Sequence, residues 1–263
     1  MRNQGEHGHG WALERAINLL ISSRYTIAMT GAGVSVESGI PPFRGPGGLW
    51  TKDGEPPMDV YQRFLADPKG YWEERLKVPS AIVQALSEAQ PNAGHYAMVE
   101  LEHIGILRHL ITQNIDNLHR AAGHQKLAEI HGNAQLLRCI QCRQRFAKDA
   151  IAIALDDLPP RCPSCAGIVK ADTVHFGEPI PPEVLDVCFA ETRQADCILV
   201  AGTSALVYPA ASFPQMVKQR GGVLIEVNLY DTPLTPLADC SLQGPFGEML
   251  PTLVERVRVK LTA

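Results

Sequence analysis

Tyr25-Thr26-Ile27-Ala28-Met29-Thr30 runs directly into Gly31-Ala32-Gly33, and this junction decides the fold. Six apolar and β-branched residues that stop at a glycine turn have the pattern of a short buried strand. Upstream, Trp11, Leu13, Ala16, Ile17, Leu20 and Ile21 recur at helical spacing, which predicts an amphipathic helix over 11–22. Downstream, residues 41–60 carry Pro41, Pro42, Gly45, Pro46, Gly47, Gly48, Pro56 and Pro57, so a loop is expected there and not a crossover helix. Residues 59–89 read as helical. Asn92 can cap a helix through residue 103 that Gly105 closes.

The pattern of a strand ending in small or polar residues recurs. Leu107 to Thr112 ends on Gln113-Asn114-Ile115-Asp116, Cys197 to Ala201 on Gly202-Thr203-Ser204, and Val223 to Val227 on Asn228. Strands alternating with helices indicate an α/β fold with a parallel sheet. In such a sheet these ends share one edge, where ligands bind. The sequence therefore describes a cleft.

Gly31-x-Gly33 after a strand suggests a dinucleotide diphosphate at a helix N-terminus, although an ordinary tight turn looks the same. A dehydrogenase would have its third glycine at position 36, which is Val36, and Pro41 and Pro42 forbid a long helix there. No acidic residue ends a second strand about 20 positions on, as ribose recognition for hydride transfer requires. A dinucleotide can bind here, but in a different pose.

The net charge is −4, which offers no basic face for nucleic acid or an anionic membrane surface. No apolar run approaches the roughly 20 residues that span a bilayer. Met1 to Gly10 is polar, reads as a frayed tail, and lacks the apolar stretch of a signal peptide. The expected location is the cytoplasm. Seven cysteines cannot all pair. Cys139-x-x-Cys142 and Cys162-x-x-Cys165, separated by residues 143–161, fit a four-thiolate zinc ribbon, closed and hence structural. Cys188, Cys197 and Cys240 lie in apolar surroundings and are expected in the core.

Longer motifs carry a family resemblance. Gly31-Ala32-Gly33-Val34-Ser35-Val36-Glu37-Ser38-Gly39-Ile40-Pro41-Pro42-Phe43-Arg44-Gly45 resembles the cofactor-loop signature of the sirtuins. Thr112-Gln113-Asn114-Ile115-Asp116-Asn117-Leu118-His119 and His131-Gly132-Asn133 resemble their second and third signatures. Phe176-Gly177-Glu178, Gly202-Thr203-Ser204 and Tyr208-Pro209 follow in family order, so the likeness covers roughly residues 12–258. It implies a Rossmann-like parallel sheet with helices on both faces, plus a small zinc-ribbon module and a helical insertion. The large domain is expected over about 11–45, 90–136 and 173–263, and the small one over about 46–89 and 137–172.

The resemblance also implies NAD-dependent removal of acyl groups from protein lysines, with NAD as co-substrate and one structural zinc. In that chemistry the acyl oxygen attacks the ribose carbon bearing nicotinamide, and a ribose hydroxyl and then water open the product. His131 is the implied base, and an imidazole titrating near 6.5 suits the task. His119 and His95 are expected to be structural. Asn114 is expected on the ribose or the attacking water, and Ile115 with Asp116 on the nicotinamide amide. Ser35, Ile40 and Pro41 join that pocket, Phe43 shields the ribose face, and Arg44 meets a phosphate or ribose.

Gly31, Ala32 and Gly33 are expected to offer N–H groups to the diphosphate. Gln113, Gly202, Thr203, Ser204, Asn228 and Phe246 complete the cofactor set, most of them on the adenosine half. An acyl-lysine polypeptide is expected to pair as a strand with Val174, His175, Phe176, Gly177 and Glu178 on one side and the loop Ala205–Tyr208, which holds Val207, on the other. The enzyme is expected to act as a monomer. Mono-ADP-ribosyl transfer and a non-catalytic NAD-binding regulator are the alternatives.

Three positions depart from the family pattern. Lys170-Ala171-Asp172 stands where many relatives have an Arg-Pro step, and His175 replaces an aromatic or aliphatic residue. Relatives that remove acidic acyl groups carry a Tyr-x-x-Arg clamp, and the matching stretch here reads Trp72-Glu73-Glu74-Arg75. Without the phenol, acetyl-lysine or a longer neutral acyl-lysine is expected over succinyl-lysine.

Overall fold

The structure, a computed structural model, describes residues 4–77 and 81–263. Helix α1 spans Gln4–Ser22. It starts before the 11–22 stripe and takes in residues 4–10, which present no apolar stripe and so leave no trace in the periodicity. Strand β1, Thr26–Thr30, is buried throughout. After it, Ala32–Ser38 forms a 3-10 helix that Gly39 closes at φ 88, in place of a long helix, as expected from the prolines. One short helix, α2 (Leu49–Asp53), interrupts the expected loop.

The helical stretch that follows is divided into α3 (Val60–Ala66), α4 (Pro68–Lys77) and α5 (Ala81–Glu88). Pro68 opens α4, where a missing N–H costs nothing, and positions 78–80 lie outside the described residues. Helix α6 is Ala93–His103, and the Asn92 side chain accepts from the Gly94 and His95 N–H groups at 3.0 and 3.4 Å. Then come β2 (Leu107–Thr112), α7 (Leu118–Ala122), β3 (Leu127–Glu129), β4 (Gly132–Cys139), β5 (Arg145–Ala147) and β6 (Val169–Thr173). The chain ends with α8 (Pro182–Gln194), β7 (Cys197–Ala201), α9 (Ser212–Gln219), β8 (Val223–Asn228), β9 (Cys240–Gln243) and α10 (Phe246–Thr262).

The large sheet has the order β3-β2-β1-β7-β8-β9, and every pairing in it is parallel. From β1 the chain moves outward to β2 and β3, then returns to the other side of β1 at β7. Thr30 is level with Thr112 on one neighbour and Ala201 on the other. Gly31, Gln113 and Gly202 therefore leave the sheet side by side, at the point where the strand order reverses and ligands bind.

Both faces of the sheet are covered, which is why its strands read as continuous apolar runs. Ala28 faces a layer with Ala16 and Leu20 of α1, Met98 of α6 and Leu253 of α10. Ile27 and Met29 face Cys188 of α8 and Phe213 and Val217 of α9. Cys188, Cys197 and Cys240 are buried in these layers, as expected. A second, antiparallel sheet has the order β5-β4-β6. Its core joins Leu137, Cys139, Ile151, Cys162 and Val169 to Trp72 of α4. The Trp72 Nε1–H donates to the Val169 carbonyl at 2.9 Å.

Three buried histidine rings pack against one another, tilted and edge-on, where α6 meets α7. The rings of His95 and His119 are 4.8 Å apart, and those of His119 and His124 are 5.3 Å apart. Burial lowers all three from the ordinary value near 6.5, His95 to about 4; His124 further disfavours charge on His95, both of them disfavour it on His119, and the Glu102 carboxylate, 2.7 Å from His124, partly offsets the shift there. Because the folded-state values lie below the unfolded one, this stability is complete above pH 6.5 and is lost as pH falls toward the folded values. His95 alone should lose about 2 kcal/mol by pH 5. A scanning-calorimetry midpoint that falls by several degrees from pH 7.5 to 5 is the expected result, and an unchanged midpoint contradicts it.

Candidate active site

Where β1 meets β7 the two backbones touch. The Gly31 N–H donates to the Ala201 carbonyl at 3.1 Å and the Gly33 N–H to the Gly202 carbonyl at 2.8 Å. A Cβ on Gly31 would stand 2.7 Å from the Thr203 Cβ, and one on Gly33 would stand 2.8 Å from the Gly202 backbone. Both glycines are required by this approach. Both N–H groups, expected at a diphosphate, here bond the carbonyls of Ala201 and Gly202 at the end of β7.

Beside this turn a buried cluster forms from residues far apart in sequence. The Asn114 amide donates to the Ser35 hydroxyl at 3.1 Å, and that hydroxyl donates to Asp116 Oδ2 at 2.7 Å. The Leu118 N–H donates to Asp116 Oδ1 at 2.8 Å, so Asp116 also caps α7. Burial pushes the Asp116 carboxyl up, opposed by the hydrogen bonds from Leu118, Ser35 and Asn114. Ile40 is buried alongside, with its N–H on the Ser35 carbonyl, while Pro41 and Ile115 are half-buried.

His131 lies between β3 and β4. Its Nδ1 is 3.1 Å from the Gln113 carbonyl. A carbonyl can only accept, so Nδ1 carries the hydrogen and Nε2 keeps a free lone pair. Burial lowers the His131 pKa, and the Gln113 carbonyl partly offsets that. The ring is therefore neutral and basic at neutral pH.

An aromatic group joins the loop after Ile40 to the turn after β6. Phe43 stacks on Trp50 with ring centres 4.6 Å apart, and Trp50 meets Phe176 edge-on at 5.5 Å. The Arg44 guanidinium lies over Trp50 at 4.6 Å and pairs with Glu55 at 2.8 Å. Arg44 is thus held in place and is not a free loop arginine. On the β7–β8 side, Gln113 Nε2 donates to Thr203 Oγ1 at 2.9 Å and Asn228 Nδ2 to the Thr203 carbonyl at 3.0 Å. Ser204 stands next to them, half-buried. Phe246 is placed differently, with its ring in the core against Gly94 and edge-on to His95 at 5.7 Å.

The segment expected to pair with the substrate, Val174 to Glu178, lies past the end of β6. β6 stops at Thr173, and His175 to Glu178 is a turn in which the Glu178 N–H donates to the His175 carbonyl at 3.0 Å. Gly177, at φ 79, makes this turn possible. The Val174 N–H donates to the His131 carbonyl at 2.9 Å, which ties this segment to the base. Val207 lies half-buried in the loop after β7, and its carbonyl accepts from the Ala211 N–H at 2.9 Å.

Trp72, read as the position of the missing phenol, belongs to the ribbon core. Tyr71 was missed. Its ring sits against Phe64 and His175, at 5.0 and 5.5 Å, and its hydroxyl is buried near the Ala171 backbone and the Arg75 guanidinium. Burial raises its pKa, against the pull of the Arg75 guanidinium. Facing on a helix depends on a single residue of register, which is why Tyr71 escaped the motif.

The sulfurs of Cys139, Cys142, Cys162 and Cys165 all lie within 4.8 Å of one another. Cys139 and Cys165 are 3.5 Å apart and Cys142 and Cys162 3.7 Å, close to the roughly 3.8 Å between thiolates on tetrahedral zinc. The donor set fits one structural zinc with no open position.

The sequence model of the Sir2 family matches residues 31–209. NAD-dependent protein deacylase 1 of Archaeoglobus fulgidus is 44% identical over 249 residues, covering 95% of this chain and 99% of its own. The NAD-dependent protein deacetylase of Sulfurisphaera tokodaii is 42% identical over 244 residues, covering 92% and 94%. A solved complex of a Sir2 homologue with NAD aligns with a TM-score of 0.80 at 44% identity over 94% of each chain. With these motifs, this sheet and a family match across most of its length, the chain belongs to the Sir2 family.

Proposed function

We propose that the chain removes acyl groups from lysine side chains of polypeptides at the expense of NAD, yielding nicotinamide, O-acyl-ADP-ribose and free lysine. The observation that carries this reading is the free Nε2 lone pair of His131, fixed by the carbonyl of Gln113, the residue before Asn114 in the buried Ser35, Asn114 and Asp116 cluster. NAD supplies a ribose carbon with a cationic leaving group, so a poorly electrophilic lysine amide can react without a metal-bound or side-chain nucleophile.

The remaining work falls to the chain. His131 Nε2 takes a proton from a ribose hydroxyl. Asn114 orients the ribose or the attacking water, and Asp116, steadied by Ser35 and the Leu118 N–H, holds the nicotinamide amide. Ile40, Pro41 and Ile115 line that pocket. Phe43, stacked on Trp50, excludes water from the reactive face, and Arg44 is presented by Trp50 and Glu55 to a phosphate or ribose. Thr203, Ser204 and Asn228 hold the adenosine half. No helix among the described residues is long and apolar enough to cross a membrane. We place the enzyme in the cytoplasm as a monomer.

The experiment is chromatography of nicotinamide. Its release should require an acyl-lysine peptide and match the deacylated peptide mole for mole. Release that continues unchanged without acyl-peptide would refute the coupling.

The acyl group we favour is acetyl or another neutral acyl. Tyr71, however, brings a phenol next to Arg75 and supplies the hydroxyl that Trp72 lacks. One hydrogen bond to a charged group is worth about 10- to 150-fold in specificity. Tyr71→Phe should therefore leave acetyl-peptide kcat/KM nearly unchanged and lower succinyl-peptide kcat/KM about tenfold or more. An unaltered ratio of the two would mean that Tyr71 serves only packing.

A further inference from the structure

Three arginines surround the first pair of zinc cysteines, and each reaches a carboxylate outside that knuckle. Arg138 precedes Cys139, Arg143 follows Cys142, and Arg145 opens β5. Arg145 Nε donates to Asp172 Oδ2 at 2.7 Å, and its Nη2 lies 3.2 Å from Glu129. Arg138 Nε bonds the other oxygen of Asp172. Arg138 and Arg143 also approach Glu183 of α8, at 3.7 and 3.5 Å. Arg120 of α7, at 2.9 Å, and the Asn133 amide, at 2.5 Å, complete the shell of Glu129.

The two buried carboxylates occupy matching places. Glu129 is two residues before His131, and Asp172 is two residues before Val174, whose N–H holds the His131 carbonyl at 2.9 Å. Glu129 is the last residue of β3 and Asp172 the last but one of β6, so both segments that hold His131 are anchored just upstream by one guanidinium. At Gly132 a Cβ would come 1.8 Å from the Asp172 carbonyl, so the two backbones meet there with no slack. Buried ion pairs contribute little net stability, because desolvation offsets their attraction. What a guanidinium fork does supply is fixed geometry.

We infer that Arg145 is a positioning residue for His131: by joining Glu129 and Asp172 it docks the zinc ribbon onto the two segments that hold the base. The inference rests on His131 being the base. It also gives a closed zinc site, remote from the chemistry, a route to the rate.

The test compares Arg145→Ala, Arg145→Lys and Glu129→Gln with the parent enzyme, all zinc-loaded, on one acetyl-lysine peptide with NAD, and includes His131→Ala in the same series. Displacing a base by a fraction of an ångström should lower kcat about 10- to 100-fold in Arg145→Ala and Glu129→Gln. KM for NAD should stay within about twofold, zinc should stay at one equivalent, and Arg145→Lys should recover part of kcat. A kcat within about twofold of the parent at full zinc content overturns the inference. So does a loss of activity that merely parallels loss of zinc, since Arg145 would then serve only ribbon folding. If Arg145→Ala does not fold, Glu129→Gln, which preserves volume, decides between these outcomes. Full activity in His131→Ala would instead overturn the assignment of the base, so the two failures are distinguishable.

Discussion

Replacement of His131 by alanine is expected to lower turnover by about 10²- to 10⁴-fold, the usual contribution of a positioned base. The magnitude follows from the surroundings of the ring. Among the described residues no other imidazole is placed to act: His95, His119 and His124 are buried against one another, His103 ends α6 and His109 lies within β2, and His175 faces Tyr71 and Phe64. Asn114 and Asp116 are hydrogen-bonded to Ser35 whether or not His131 is present, so the nicotinamide side should survive the substitution. Binding of NAD, measured by calorimetry, should remain within a few-fold of the parent. Turnover within a few-fold of the parent would refute the assignment of the base.

Cys139→Ala should abolish zinc binding and take activity with it. Cys139 is fully buried, and its sulfur also accepts the N–H groups of Gln141 and Cys142, at 3.4 and 3.5 Å. Losing it removes a ligand and the knuckle's internal bonds together. In small closed sites, metal-binding energy is folding energy, about 10–16 kcal/mol in zinc-finger peptides. The few apolar side chains around Leu137, Ile151 and Val169 cannot replace it. Metal analysis of the purified variant should find little zinc, whereas Cys188→Ala should retain one equivalent. One equivalent in Cys139→Ala would mean that the ligand set is wrong.

The parts of this molecule that were legible in the sequence are those where a local rule leaves few options. An apolar run ending in Gly31-Ala32-Gly33 or Gly202-Thr203-Ser204 has to be a buried strand reaching an edge, and two Cys-x-x-Cys turns have to meet if they hold one metal. What could not be read depends on contacts between distant residues. The tautomer of His131 is set by a carbonyl at Gln113, and the N–H groups of Gly31 and Gly33 are spent on Ala201 and Gly202, whose approach no spacing announces. Val174 to Glu178 looks extended because Thr173 and Val174 are β-branched, but Gly177 at positive φ turns the chain. Tyr71 and Trp72 differ by one residue and point to different surroundings on α4. The carboxylates of Glu129 and Asp172 share one arginine although 42 positions lie between them in the chain, and charge patterning gives no hint of that.

The central claim, that NAD is consumed to take an acyl group from lysine, is tested most directly by mass spectrometry of an acetyl-lysine peptide incubated with the zinc-loaded enzyme, with and without NAD. The account predicts loss of the acetyl group only when NAD is present, with O-acetyl-ADP-ribose appearing in equal amount. A peptide that is unchanged, or that becomes heavier by one ADP-ribose while keeping its acetyl group, would contradict it.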